Sequence, residues 1–286
     1  MPIGAVLLVL GAAVGHASWN FLAKGAQVGR GFTFAIVVAS VVLMAPVAAV
    51  AAAVTGSTLD AGALGLMAAS GAMHTGYFYL LNRGYREGEL SLVYPLSRGT
   101  GPVFSVAGGI LLFDERPSAL AAAGIALVIT GVLVTSIPRG MTATRVAPSV
   151  AFALATGVCI ATYTLWDKHA MDTVTPVLYG YGIDVARLFI LAPLVLSSAA
   201  ARSEAATAWR EHRLTVAGIA ALTPAAYMMI LGAFTMAPVS YVAPAREVSI
   251  LIGAVMGLSL LGEGYPAQKL AGAAAIVAGV VALALG

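Results

Sequence analysis

Two arginines, Arg98 and Arg246, stand 148 positions apart in runs that are otherwise apolar. Each lies about seven residues inside its run, roughly 10 Å deep if the run is a helix rising 1.5 Å per residue. A charge at that depth is costly, so it faces a cavity or a partner. The planar guanidinium fork matches a carboxylate or a phosphonate. Two chemistries fit: capture of an anionic group, or a structural clamp on helix-end carbonyls or on Glu247.

Asp184 and Glu247 are the carboxylates placed well inside apolar runs. Either could carry a proton; each also has an arginine beside it, and Asp184 reaches Arg187 at i, i+3. Pairing is the favoured reading. Aromatic and hydroxyl residues gather on the inner segments. His16, Trp19 and Asn20 share one helical face by spacing, as do His74, Tyr77 and Phe78, with Tyr79 on another face. Thr162, Tyr163 and Trp166 follow, with Asp167 at the end of its run, and Tyr227 comes later. Tyr163 and Trp166 form an aromatic wall that accepts flat or cationic groups. Tyr179 and Tyr181 read as interface anchors. The candidate solute-binding set is therefore Trp19, Asn20, His74, Tyr77, Tyr79, Arg98, Tyr163, Trp166, Tyr227 and Arg246, with Asp184 and Glu247 as possible proton carriers. Arginines, aromatics and a few carboxylates together suit a zwitterion better than a pure cation.

No catalytic set is visible. Ser70-Gly71 precedes His74, but the fuller G-x-S-G form is absent, as are phosphate loops and H-E-x-x-H. The single cysteine, Cys159, excludes an internal disulfide and a multi-cysteine metal site. Neither cofactor nor metal is expected.

The elements that must hold these side chains are membrane helices. The chain is 60% hydrophobic and 9% charged, with mean hydropathy +0.95. Soluble domains carry roughly 25% charged residues. A net charge of +3 gives no basic stripe, so a nucleic-acid partner is excluded. A helix needs about 20 residues to cross the hydrocarbon layer. Cutting at charges, prolines and glycine turns predicts ten spans: 3–23, 32–54, 62–82, 91–113, 118–137, 149–167, 176–199, 214–235, 240–262 and 267–285. The first lacks a basic leader and reads as a membrane helix rather than a signal peptide. The connection 200–213 is charged and reads as a solvated loop. Gly11/Gly15 and Gly253/Gly257 have the spacing for close helix approach.

Shifted by 148, the chain matches itself: Tyr79 falls on Tyr227, Gly84 on Gly232, Arg98 on Arg246, Glu115 on Glu263, Gly124 on Gly272 and Gly131 on Gly279. Near the start the offset is 144, with Lys24 on Lys168. Each unit has five spans, an odd number, so the second enters the membrane from the opposite side. The fold class is an all-α membrane protein of ten transmembrane helices in two inverted five-helix repeats, 1–138 and 149–286. Such duplications imply transport, with the solute held between the halves. One chain holds both halves, so a monomer suffices. Counting Lys and Arg in connections puts both termini outside.

The run Gly84-Tyr85-Arg86-Glu87-Gly88-Glu89-Leu90-Ser91-Leu92-Val93-Tyr94-Pro95-Leu96-Ser97-Arg98-Gly99, then Asp114-Glu115-Arg116-Pro117 and Gly124 to Gly131, resembles the EamA domain of the drug/metabolite transporter superfamily. Pro244-Ala245-Arg246, Gly262-Glu263 and Gly272 to Gly279 repeat its later part. The resemblance implies a permease of the bacterial inner membrane for small metabolites, often an amino acid exporter, with both termini in the cytoplasm. It conflicts with the charge count on orientation, which stays open. An alternative is exchange of anionic metabolites such as aminophosphonates or phosphorylated sugars, which the arginine pair favours. A membrane-embedded enzyme is disfavoured by the short connections. Glu115 and Glu263 are expected to be structural, pairing with donors near helix ends.

Overall fold

The computed structural model describes residues 1–24, 29–87, 90–136, 147–252 and 266–286. Arg139, Arg145, Gly253, Gly257 and Glu263 lie outside the described residues. The helices are α1 (Ile3–Lys24), α2 (Arg30–Thr55), α3 (Ala61–Glu87), α4 (Leu90–Phe113), α5 (Ala119–Ser136), α6 (Ala147–Ala170), α7 (Pro176–Leu196), α8 (Ala199–Glu211), α9 (Arg213–Phe234), α10 (Val239–Ala245) and α11 (Pro266–Leu285). No strand occurs among the described residues. Six helices among them are long and apolar enough to cross a membrane, and the apolar stretches of α5 and α11 are shorter. All ten expected spans are recovered at least in part. The ninth is broken: α10 stops at Ala245, Arg246 and Glu247 form a turn, and helix resumes at 248–252.

The surface and interior are inverted relative to a soluble protein. Val54, Leu111, Leu285 and Phe189 are 74–80% exposed, whereas Ser70, Asp167, Ser240 and Glu247 are fully buried. Lipid is the solvent for such a surface, and backbone and side-chain polar groups must then be satisfied inside.

The connection expected as a loop at 200–213 is instead α8. Alanine is the strongest helix former, and Ser198 Oγ caps the start by accepting from Ala201 N at 3.3 Å. Glu204 of α8 accepts from Gly31 N (3.0 Å) and Phe32 N (3.3 Å) at the start of α2. Its carboxylate so fills orphan donors at a positive helix end.

The repeats meet about a pseudo-two-fold axis. α1 packs on α9 as α6 packs on α3, and α2 meets α9 as α7 meets α3. The equivalent pairs α2/α7 and α5/α11 pack on each other. In the last pair Gly124 faces Gly279 and Gly131 faces Gly272, so the two helices run antiparallel, as inverted repeats require. Gly11 and Gly15 likewise lie against Met229 and Ala226 of α9.

Pro224 sits inside α9 and cannot donate to the Ala220 carbonyl one turn back. Ser40 Oγ of α2 takes that role, donating to Ala220 O at 3.0 Å. Ser40→Ala is expected to cost about 1–3 kcal/mol by leaving that buried carbonyl bare. Adding Pro224→Ala restores an in-helix donor and should recover much of the loss, read as unfolding in mixed micelles.

Candidate functional site

A cavity of about 130 Å³ opens between α1, α3, α4, α6, α7, α9 and the residues after α10, and so is lined by both repeats. A water needs about 10–15 Å³ of such space, so roughly ten waters or one small metabolite would fill it. α5, α8 and α11 contribute nothing to the lining.

One part of the wall is cationic. Arg98 Nη2 lies 3.0 Å from Glu247 Oε2, and Arg246 Nε lies 3.4 Å from Glu247 Oε1. Two guanidinium groups therefore share one fully buried carboxylate, giving a triad with formal charge +1. Both arginines reach the cavity; Glu247 stands behind them and does not line it. Arg246 also donates to Thr164 Oγ1 at 3.4 Å and faces the Tyr163 ring at 6.0 Å. The clamp on Glu247 and a cationic face on the cavity thus coexist in the same side chains.

The α7 part of the wall is neutral overall. Arg187 Nη1 donates to Asp184 Oδ1 at 2.8 Å, the i, i+3 pair expected from spacing. Its guanidinium lies 5.3 Å from the Phe78 ring. The aromatic lining is built around His74, whose ring lies 4.1 Å from Tyr163 and 5.0 Å from Tyr227, with Tyr77 6.0 Å from Tyr163. His74 Nδ1 lies 2.9 Å from Ser70 O, which assigns the proton to that nitrogen and leaves Nε2 as an acceptor. His74 Nε2, Arg187 Nε and Thr223 Oγ1 are buried atoms of lining residues with no hydrogen-bond partner among the described residues. Buried polar atoms are nearly always paired, so these three leave hydrogen-bonding capacity along the cavity wall.

Of the sequence candidates, Trp19, His74, Tyr77, Arg98, Tyr163, Asp184, Tyr227 and Arg246 line the cavity. Four do not: Glu247, which stands behind the arginines, and three others. Tyr79 is 68% exposed, because it sits 100° beyond Phe78 and points outward. Asn20 is exposed and closes back on its own helix, donating to His16 O at 2.7 Å. Trp166 turns to the α3 seam, where its Nε1 donates to Leu66 O at 3.0 Å; the aromatic wall forms without it. Tyr179, expected as an interface anchor, is fully buried. Glu115 is structural as expected: it accepts from Val239 N (2.7 Å) and Ser240 N (2.8 Å) at the start of α10.

The model of the EamA-like transporter family matches residues 3–137 and again 147–285. The chain belongs to the EamA-like transporter family. A solved structure described only as the crystal structure of a protein matches with TM-score 0.76 and 15% identity, covering 100% of this chain and 98% of that one. That likeness shows the fold. A search of curated proteins returned no match.

In this EamA-like chain a further carboxylate stands behind the aromatic wall. Asp167 is fully buried. Its Oδ1 accepts from Ser70 Oγ at 2.6 Å and from Tyr179 OH at 2.8 Å, and its Oδ2 accepts from Tyr227 OH. Sequence reasoning passed it over because the sixth span was ended at residue 167, whereas α6 continues to Ala170. The available signal was an acidic residue one turn after Tyr163 on the same helix. Its three hydroxyl partners come from α3, α7 and α9, which no spacing rule reveals. The Ser70, His74 and Asp167 set is not a catalytic relay: the carboxylate holds the serine, not the imidazole.

Proposed function

We propose that this transporter carries small zwitterionic solutes, amino acids first, through the cavity between its repeats. Export across a bacterial-type inner membrane is the direction the family resemblance suggests. A monomer holds the complete pathway. The observation that carries the reading is the division of charge along the wall. The Arg98–Glu247–Arg246 triad has one positive charge in excess and suits a carboxylate. The Asp184 carboxylate and His74 Nε2 supply acceptors for an ammonium. Inverted repeats give alternating access by rocking of one half against the other.

The test is uptake of labelled amino acids into proteoliposomes. Arg246→Lys keeps the charge but loses the fork, and His74→Phe removes the acceptor. Hydrogen bonds to charged groups contribute about 1.5–3 kcal/mol, so KM should rise roughly 10- to 100-fold in each. Unchanged KM in both folded variants would sink the site assignment. The excess charge of the triad also supports a second reading, exchange of anionic solutes. Competition by aminophosphonates, with none by amino acids, would select it.

A further inference from the structure

Three buried carboxylates surround the cavity, and they are not equivalent. Asp184 is paired with Arg187, and Glu247 with Arg98 and Arg246. Asp167 has no cationic group within ion-pair distance among the described residues; its partners are the hydroxyls of Ser70, Tyr179 and Tyr227. Its position is also distinct. The turn at 171–173 begins four residues on, about 6 Å along the helix, and there His169 and Asp172 are exposed. Asp167 therefore stands between the cavity and the aqueous end of α6.

Two short chains of polar groups join it to the cavity. Tyr227 lines the cavity and donates to Asp167. Ser70 Oγ donates to Asp167 and lies 3.3 Å from His74 Nδ1, whose ring opens onto the cavity. Other titratable groups of the described residues face this cluster or lie near it. Tyr163 of α6 lies beside His74, and Arg246 lies beyond Tyr163. Asp184 and Arg187 lie further along α7 than Tyr179. Lys168 is turned away, with Nζ 2.5 Å from Phe234 O and 3.4 Å from Ala237 O.

Resting on the transport reading above, we propose that Asp167 is the proton-carrying site of the transport cycle, reached from the cavity through Tyr227. One proton joins a carboxylate oxygen of Asp167. The Tyr227 phenol passes its own proton inward as it takes one from the cavity side, and so ends neutral; release runs in reverse. With Asp167 ionised, Arg98, Arg187 and Arg246 are balanced by Asp167, Asp184 and Glu247. Proton uptake leaves a net charge of +1 around the cavity. In a weakly screened interior that change alters the affinity for a charged solute group. Asp184 and Glu247, the carriers considered from sequence, are held by arginines and serve the wall instead.

The experiment uses proteoliposomes with labelled alanine, leucine and phenylalanine in separate batches. Two readouts are taken: counterflow without a pH gradient, and accumulation under a gradient of one pH unit. One proton per solute supports up to about tenfold accumulation. Asp167→Asn, which keeps an acceptor for Ser70 and Tyr179, is expected to retain counterflow while accumulation falls to onefold. Asp167→Glu should restore gradient drive, which a purely structural tie would not do. Drive by an acid outside or by an acid inside both support the proposal. Accumulation by wild type that ignores the gradient, or that survives in Asp167→Asn, overturns it. Absence of wild-type counterflow with all three amino acids overturns the amino acid reading, and this proposal with it. A readout free of solute guards against misfolded variants: pH-difference infrared spectra of wild type should show a carboxyl band that Asp167→Asn lacks. Titration with no such band also overturns the assignment.

Discussion

Glu247→Gln is expected to destabilise the protein by about 3–5 kcal/mol, the usual loss when one partner of a buried ion pair is removed. The cause is local. Glu247 is fully buried between Arg98 and Arg246, which are 7% and 8% exposed. A neutral amide leaves two guanidinium groups facing each other without a counter-charge. Asp184→Asn should cost less, because it strands only Arg187, which keeps its contact with the Phe78 ring. Equilibrium unfolding in mixed micelles measures both. Stability of Glu247→Gln within about 0.5 kcal/mol of wild type would refute the triad as a structural clamp. A triple replacement, Arg98→Met with Glu247→Leu and Arg246→Met, separates the two roles of these residues. Apolar replacement of a whole buried ion group is often neutral or stabilising. Stability should therefore return while transport does not, since the excess positive charge is gone.

The triad shows how far a sequence can be read. Arg98 and Arg246 announce themselves by depth in apolar runs and by recurrence in both repeats. Their shared partner was one of the candidates, because Glu247 adjoins Arg246 in sequence. Asp184 and Arg187 were legible for the same reason, as neighbours on one helical face. Neighbours in sequence, or one helical turn apart, thus made the pairs Arg246–Glu247 and Asp184–Arg187 legible, whereas the Arg98–Glu247 contact joins two elements. The failures arise where helix rotation and helix length decide. Tyr79 matches Tyr227 in the repeat, yet one faces outward and the other lines the cavity, because the two equivalent helices present different faces to their neighbours. Asn20 sits one residue beyond Trp19, which lines the cavity, and Trp166 three beyond Tyr163, yet neither joins them. Asp167 was lost through a boundary three residues short. Charge alone misled the reading of 200–213 as a loop, where alanine content and the Ser198 cap favour helix.

The repeat also leads to the prediction with the largest steric effect. α5 and α11 cross backbone to backbone, and four glycines make that possible. A Cβ built on Gly124 would lie 2.7 Å from Gly279 O, and one on Gly131 would lie 2.6 Å from Gly272 O. Neither neighbour is a flexible side chain that can yield. Because α5 and α11 are equivalent helices meeting about the pseudo-two-fold axis, both contacts belong to one seam. Pushing it apart at Gly131 also strains the contact at Gly124. Gly131→Leu is therefore expected to separate the helices and abolish folded protein, while Gly131→Ala should lose at least the 1–3 kcal/mol typical of overpacking. Gly65→Ala and Gly76→Ala are the controls: nothing lies within 4 Å of a Cβ at either position. In helix interiors such changes are neutral or stabilising by about 0.5–1 kcal/mol. Yield of monodisperse protein and unfolding in mixed micelles report the outcome. A Gly131→Leu variant as stable as Gly76→Ala would mean that the two repeats do not meet along this seam. The seam supplies no cavity residue, so a partly folded Gly131→Ala should lose stability before it loses solute affinity. That order distinguishes a scaffold contact from a binding one.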